Sequence, residues 1–232
     1  MIILKATNKG GTKKTMISAV IFDMDGVLVD SERKYLHDHM DFLAQHGFQA
    51  SVENLLKIVG HDDSFAWHYL AELMGSSPSV IERELTEYFQ EHPTNYKAIF
   101  REESLQVLRY LKENNIQAAV ASAAPKRRIL RMAWACGIED YFAEIISGTD
   151  FRHNKPDPEI YHAACRRLKI HEAEALVIED SHSGIAAAKA ARIQVAALRD
   201  PLIRQDISQA DYKIDSLTEI IEILKEEKTY AE

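Results

Sequence analysis

Hydrophobic and polar positions follow two rhythms along this chain. Residues 17–23 (ISAVIFD) form a continuous apolar run rich in β-branched and aromatic side chains. That is the pattern of a strand covered on both faces of a parallel sheet. Shorter runs of the same kind occur at 117–121, 144–147, 175–179, 193–197 and 211–214. Between them, apolar residues recur every three or four positions over 102–114, 126–136, 158–168, 183–191 and 217–227, which predicts helices. The alternation predicts an α/β fold with a doubly wound, Rossmann-like parallel sheet.

One stretch breaks the alternation. Residues 32–96 carry only helical patterns (YLHDHMDFLAQHG, FAWHYLAELMG, VIERELTEYFQEH), each closed by Gly or Pro. A small helical domain inserted after the first strand is the simplest account. It leaves 16–31 and 97–232 as the core. Trp67, Tyr69 and Phe89 are expected to fill the insert's own interior. Residues 1–15 are polar, basic and Gly-containing, and are expected to form an arm outside the fold, with translation beginning at Met16.

Composition narrows the chemistry. A net charge of −8 over 232 residues argues against a surface built for nucleic acid or anionic lipid, and favours small-molecule work. No apolar run is long enough for a membrane span and no signal-peptide pattern opens the chain, so a cytoplasmic monomer is expected. The two cysteines, Cys136 and Cys165, sit in apolar helical contexts rather than at metal or redox spacing.

Chemistry-bearing residues collect where strands end. The first strand runs into Asp23-Met24-Asp25-Gly26, so two carboxylates emerge at the edge where open α/β sheets place their ligands, and Gly26 permits a sharp turn. The second strand ends at Ser122. Its hydroxyl and the following amides, beginning at Ala123, are placed to hold an anion at a helix start, a role compatible with capping that helix. Lys155 stands in Asn154-Lys155-Pro156-Asp157-Pro158, a turn stiffened by two prolines. The strand at 175–179 closes on Glu179-Asp180-Ser181, where capping by Asp180 or Ser181 accounts poorly for two adjacent acids.

This ordered set, Asp23-x-Asp25-Gly26, Ser122, Lys155 and Glu179-Asp180, resembles the four motifs of the haloacid dehalogenase-like superfamily. The string DMDGVLVDSE and the insert position are similar to the branch holding phosphoglycolate phosphatases, sugar-phosphate phosphatases and β-phosphoglucomutases. The resemblance implies a Rossmann-like core with a helical cap and a Mg²⁺-dependent phosphatase acting on a small phosphorylated metabolite. It assigns Asp23 as nucleophile and Asp25 as acid/base. Ser122, Ala123 and Lys155 would hold the phosphoryl group. Asp23, the Asp25 carbonyl, Asp180 and Glu179 would serve the metal, Glu179 by ordering its waters.

The alternative inside the family is a phosphomutase of the β-phosphoglucomutase type, which must grip a second phosphate from its cap. Such mutases carry an arginine shortly after a cap glycine and a histidine early in the first cap helix. Here Gly60 is followed by His61-Asp62-Asp63-Ser64, and Tyr35 stands near the histidine position, with His37 two residues on. The Pro-Gly that usually precedes the post-cap helix is replaced by Phe100-Arg101-Glu102-Glu103. A catalytically silent binding module on the same fold fits poorly with an intact set of acids, lysine and hydroxyl.

Overall fold

The computed structural model describes residues 15–59 and 63–231. The expected arm, apart from Thr15, and the Gly60-His61-Asp62 stretch lie outside the described residues. Six strands form one sheet: β1 (Ala19–Phe22), β2 (Gln117–Ser122), β3 (Phe142–Ser147), β4 (Ala175–Glu179), β5 (Gln194–Leu198) and β6 (Tyr212–Ile214). The helices are α1 (Ser31–Gln45), α2 (Val52–Leu55), α3 (Asp63–Met74), α4 (Pro78–Glu91), α5 (Glu102–Glu113), α6 (Lys126–Cys136), α7 (Glu159–Leu168), α8 (His182–Ala190) and α9 (Glu219–Ala231).

The strand order is β3-β2-β1-β4-β5-β6, and every neighbouring pair is parallel. The chain therefore winds outward from β1 to β3, returns to the centre at β4 and winds outward the other way. Reversal between β1 and β4 creates the switch point at which doubly wound sheets open a crevice beyond the strand ends. All four residues of β1 have zero exposure, which explains their uniformly apolar composition. One sheet face packs on α7 and α8 through Ile21, Ala121, Val177, Tyr161, Ala164, Ala187 and Ala188; the alanines let these helices approach closely.

The described residues divide into two compact units, one running to Val29 and resuming at Phe100, the other Asp30–Ile99. The second unit starts two residues before the insert read from the pattern and ends three after it. An isolated antiparallel bridge between Val29 and Phe100 lies just outside its boundary, a pairing that helical periodicity does not report. Its core gathers Leu36, Phe42, Leu55, Leu70, Ile81 and Tyr88, with Trp67, Tyr69 and Phe89 packed against them. Helix α2 escapes the sequence pattern because a single turn has no periodicity to detect; Ser51 caps it by accepting from the Asn54 amide at 3.3 Å. Both cysteines are free, Cys165 buried and Cys136 half-buried. Among the described residues, no helix is long and apolar enough to cross a membrane.

Candidate active site

Asp23 follows the last residue of β1 and continues its ladder, donating its amide to Ile178 of β4 at 2.9 Å. Its carboxylate thus leaves the sheet at the switch point. There it meets Lys155, whose ammonium donates to Asp23 Oδ1 at 2.6 Å, to Glu179 Oε1 at 2.7 Å and to the Ala121 carbonyl at 3.0 Å. One lysine so ties together the ends of β1, β2 and β4. Its side chain is only 7% exposed, which removes the reading of a solvated surface lysine. The Lys155–Pro156 peptide is cis.

Glu179, the last residue of β4, is fully buried and saturated with donors. Oε1 accepts from Lys155 and from the Tyr161 hydroxyl at 2.8 Å; Oε2 accepts from the amides of Asp180 and Ser181 and from the Ser181 hydroxyl. Five donors meet a group with roughly four lone-pair directions. Its carboxylate also leans on the backbone of Gly184 in α8, where any Cβ would overlap it. The structure therefore aims Glu179 inward at Lys155 and Tyr161. Ser181 additionally caps α8, accepting from the Gly184 amide at 3.1 Å.

Asp180 occupies the opposite side of that strand end. Its carboxylate lies against Gly26, which has φ +75 and whose Cβ, if present, would overlap it. Glycine is needed here twice over, for the turn and for the close approach. Asp25 has a different partner: Arg128, in the first turn of α6, donates to Asp25 Oδ1 at 2.6 Å.

At the end of β2, Ser122 is 1% exposed and accepts from the Ala124 amide at 3.2 Å, while Ala123 is exposed. Ser147, closing β3, donates to the Ala124 carbonyl at 2.6 Å, and Gly148 sits so near Ala123 that a Cβ would approach its Cα to 2.9 Å. The Ser122-Ala123-Ala124 turn is thus pinned from the neighbouring strand.

Burial and charge oppose each other across the site. Burial pushes the Asp23 carboxyl up to about 7, with Lys155 pulling it down and Glu179 and Asp25 pushing it further up. Burial also works against ionised Glu179, yet the charge and hydrogen bond of Lys155 hold it below the usual carboxylate range. Lys155 sits well above the ordinary lysine value: burial disfavours its charge, but Asp23 and Glu179 outweigh that. Burial, then the charge of Glu179, raises Tyr161 far above the phenol value and keeps it a neutral donor.

Among the described residues, no group of three or more acidic, histidine or cysteine side chains is gathered as a metal cluster. With Glu179 turned inward, the carboxylates left at the edge are those of Asp23 and Asp180. Two carboxylates suit Mg²⁺, which keeps several waters and takes its remaining ligands from substrate phosphate.

Sequence reading missed Arg128, Tyr161 and Gly184. Tyr161 and Gly184 carry no local signal. Arg128 does: Lys126-Arg127-Arg128 open a helix with no acid in its first turn, against the preference of the helix dipole.

An open parallel sheet with acids and one buried lysine converging at its switch point defines the class, an α/β enzyme with a carboxylate-rich edge. The chain belongs to the haloacid dehalogenase-like hydrolase family, whose model matches residues 20–198. It is similar to a phosphorylated carbohydrates phosphatase of Thermotoga maritima, 30% identical over 77% of this chain and 83% of that protein. Hexitol phosphatase B of Escherichia coli K12 is 29% identical over 88% of this chain and 94% of its own length. Among solved structures, a putative β-phosphoglucomutase from Thermotoga maritima superposes with TM-score 0.77 at 27% identity, covering 90% of this chain and 99% of that one.

Proposed function

We propose that this chain is a Mg²⁺-dependent phosphatase that hydrolyses a small phosphomonoester, a sugar phosphate or similar metabolite, through an aspartyl-phosphate on Asp23. The observation that carries the reading is the bridge from Lys155 to both Asp23 and Glu179 at the switch point, with Asp25 two residues beyond the nucleophile. The relatives that are phosphatases of phosphorylated carbohydrates and hexitols support the reaction class, a phosphoric monoester hydrolase.

Asp23 attacks phosphorus and needs no general base, because the ionised carboxylate is itself the nucleophile. Asp25 protonates the departing alcohol, then takes a proton from the water that opens the phosphoaspartate. Lys155 offsets charge between Asp23 and the phosphoryl oxygens, and the Ser122 hydroxyl and Ala123 amide hold those oxygens. Glu179 acts through Lys155, keeping the ammonium aimed at Asp23. Asp23, the Asp25 carbonyl and Asp180 would hold Mg²⁺, which would supply charge that favours ionised Asp23 and offsets the phosphate.

A phosphate-release screen over sugar phosphates, hexitol phosphates and phosphoglycolate tests this. Turnover should require Mg²⁺ and stop in EDTA, and Asp23→Asn should abolish both turnover and phosphoenzyme. Full activity in excess chelator, or a labelled phosphoenzyme in Asp23→Asn, would refute it.

A further inference from the structure

Asp25 lies in the loop after β1, beside Gly26 with its positive φ, where an isolated bridge to Val29 fixes the backbone but not the carboxylate. The group that fixes it comes from elsewhere in the sheet edge. Arg128 Nη2 donates to Asp25 Oδ1 at 2.6 Å across a sequence separation of 103 residues, with the two side chains 31% and 23% exposed. With a cationic donor and a short distance, this belongs to the stronger class of hydrogen bond. It engages one carboxylate oxygen only. Lys126 and Arg127, the neighbours of Arg128 in the first turn of α6, are both exposed, so of the three cations this one turns inward. A cation there works against the helix dipole, so the stability of α6 does not explain it.

We propose that Arg128 is the positioning residue of Asp25. It anchors Oδ1 and leaves Oδ2 to exchange the proton with the leaving alcohol. The proposal rests on the acid/base reading of Asp25 given above. A general acid contributes only when its oxygen is held within hydrogen-bond reach of the reacting atom, so loosening Asp25 should cost rate where a proton must be delivered and little where none is needed.

The test follows alcohol release in the first turnover for two substrates. One is p-nitrophenyl phosphate, whose phenolate leaves without a proton; the other is the alkyl phosphomonoester turned over fastest in the screen. Wild type, Arg128→Gln, Arg128→Lys, Asp25→Asn and the double variant Arg128→Gln/Asp25→Asn are compared, each shown to be folded by circular dichroism and a cooperative thermal transition. Arg128→Gln should slow release of the alkyl alcohol about 30-fold and of p-nitrophenolate by less than about 3-fold, a part of the roughly 100-fold or more that a general acid contributes. Arg128→Lys, which restores a donor of the same charge, should recover about 5-fold of the alkyl loss. In the Asp25→Asn background, Arg128→Gln should cost less than about 2-fold more, because the two act as one unit.

Equal losses on the two substrates, a Lys variant no better than Gln, or multiplied losses in the double variant would overturn the role of Arg128. Should Asp25→Asn itself fail to separate the two leaving groups, the acid/base reading of Asp25 falls and the positioning role goes with it. Separation by Asp25→Asn without separation by Arg128→Gln refutes the positioning role alone.

Discussion

Asp23 shows what a single buried carboxyl costs when its surroundings are built for a cation. Its ordinary value is 3.8, and burial lifts it to about 7. Between those values the folded chain keeps a proton that the unfolded chain has lost, so stability falls as pH rises through this window and levels off above it. The penalty is on the order of a few kcal/mol, since every tenfold change in proton affinity is worth about 1.4 kcal/mol. Glu179, held below its usual value, contributes in the opposite sense and in a separate window, its stabilisation being lost only as pH falls below the normal carboxylate range. In EDTA, the melting temperature of wild type should therefore fall between about pH 4 and 7 relative to Asp23→Asn, and Mg²⁺ should stabilise wild type more at pH 8 than at pH 5. Parallel pH profiles for the two proteins would show that Asp23 does not titrate there. Asp23, Asp25, Glu179 and Asp180 were legible because each stands at or just beyond the end of an apolar strand. The partners of Arg128 and Tyr161 were not, because they lie 103 and 18 residues away and only the fold brings them together, although the basic opening of α6 marks Arg128 itself.

The strands and helices of the core were readable because burial on both faces leaves no room for polar residues. Helix α6 runs Lys126–Cys136 as the pattern predicts, and β4 runs Ala175–Glu179. Less visible is how tightly α7 and α8 are fitted around the end of β4, since a tyrosine and a glycine inside helices look ordinary in sequence. Two substitutions measure that fit. Gly184→Ala would by helix propensity stabilise α8 by about 1 kcal/mol. Because its Cβ would enter the space of the Glu179 carboxylate, it should instead destabilise the protein, by about 1–3 kcal/mol as overpacking does, and lower turnover. Tyr161→Phe removes a buried donor from Glu179 Oε1 and should cost about 1–2 kcal/mol in urea unfolding. A stabilised Gly184→Ala protein would mean that Glu179 is free to move.

For the whole molecule, alternation of strand and helix carried the topology, but the sheet says nothing about what happens after the phosphoaspartate forms. A phosphatase must admit water to that intermediate, whereas a mutase must exclude it and hold a second phosphate while the sugar turns round. Similarity to a putative β-phosphoglucomutase keeps the second outcome in play. What weighs against it is the charge of the helical unit. Where the mutase pattern places an arginine after a glycine, this chain has Asp62 and Asp63, and Asp63 opens α3. Acids at that position disfavour a second phosphate by like-charge repulsion. The unmodified protein should release inorganic phosphate from hexose monophosphates and should not convert β-glucose 1-phosphate into glucose 6-phosphate, even with a sugar bisphosphate as primer. Asp63→Arg should tighten binding of a bisphosphorylated sugar, read as a lower inhibition constant against phosphate release, by about 5-fold or more. Efficient interconversion of the two glucose phosphates by the wild-type chain would reverse the assignment, making the water-opened intermediate a side reaction of a mutase.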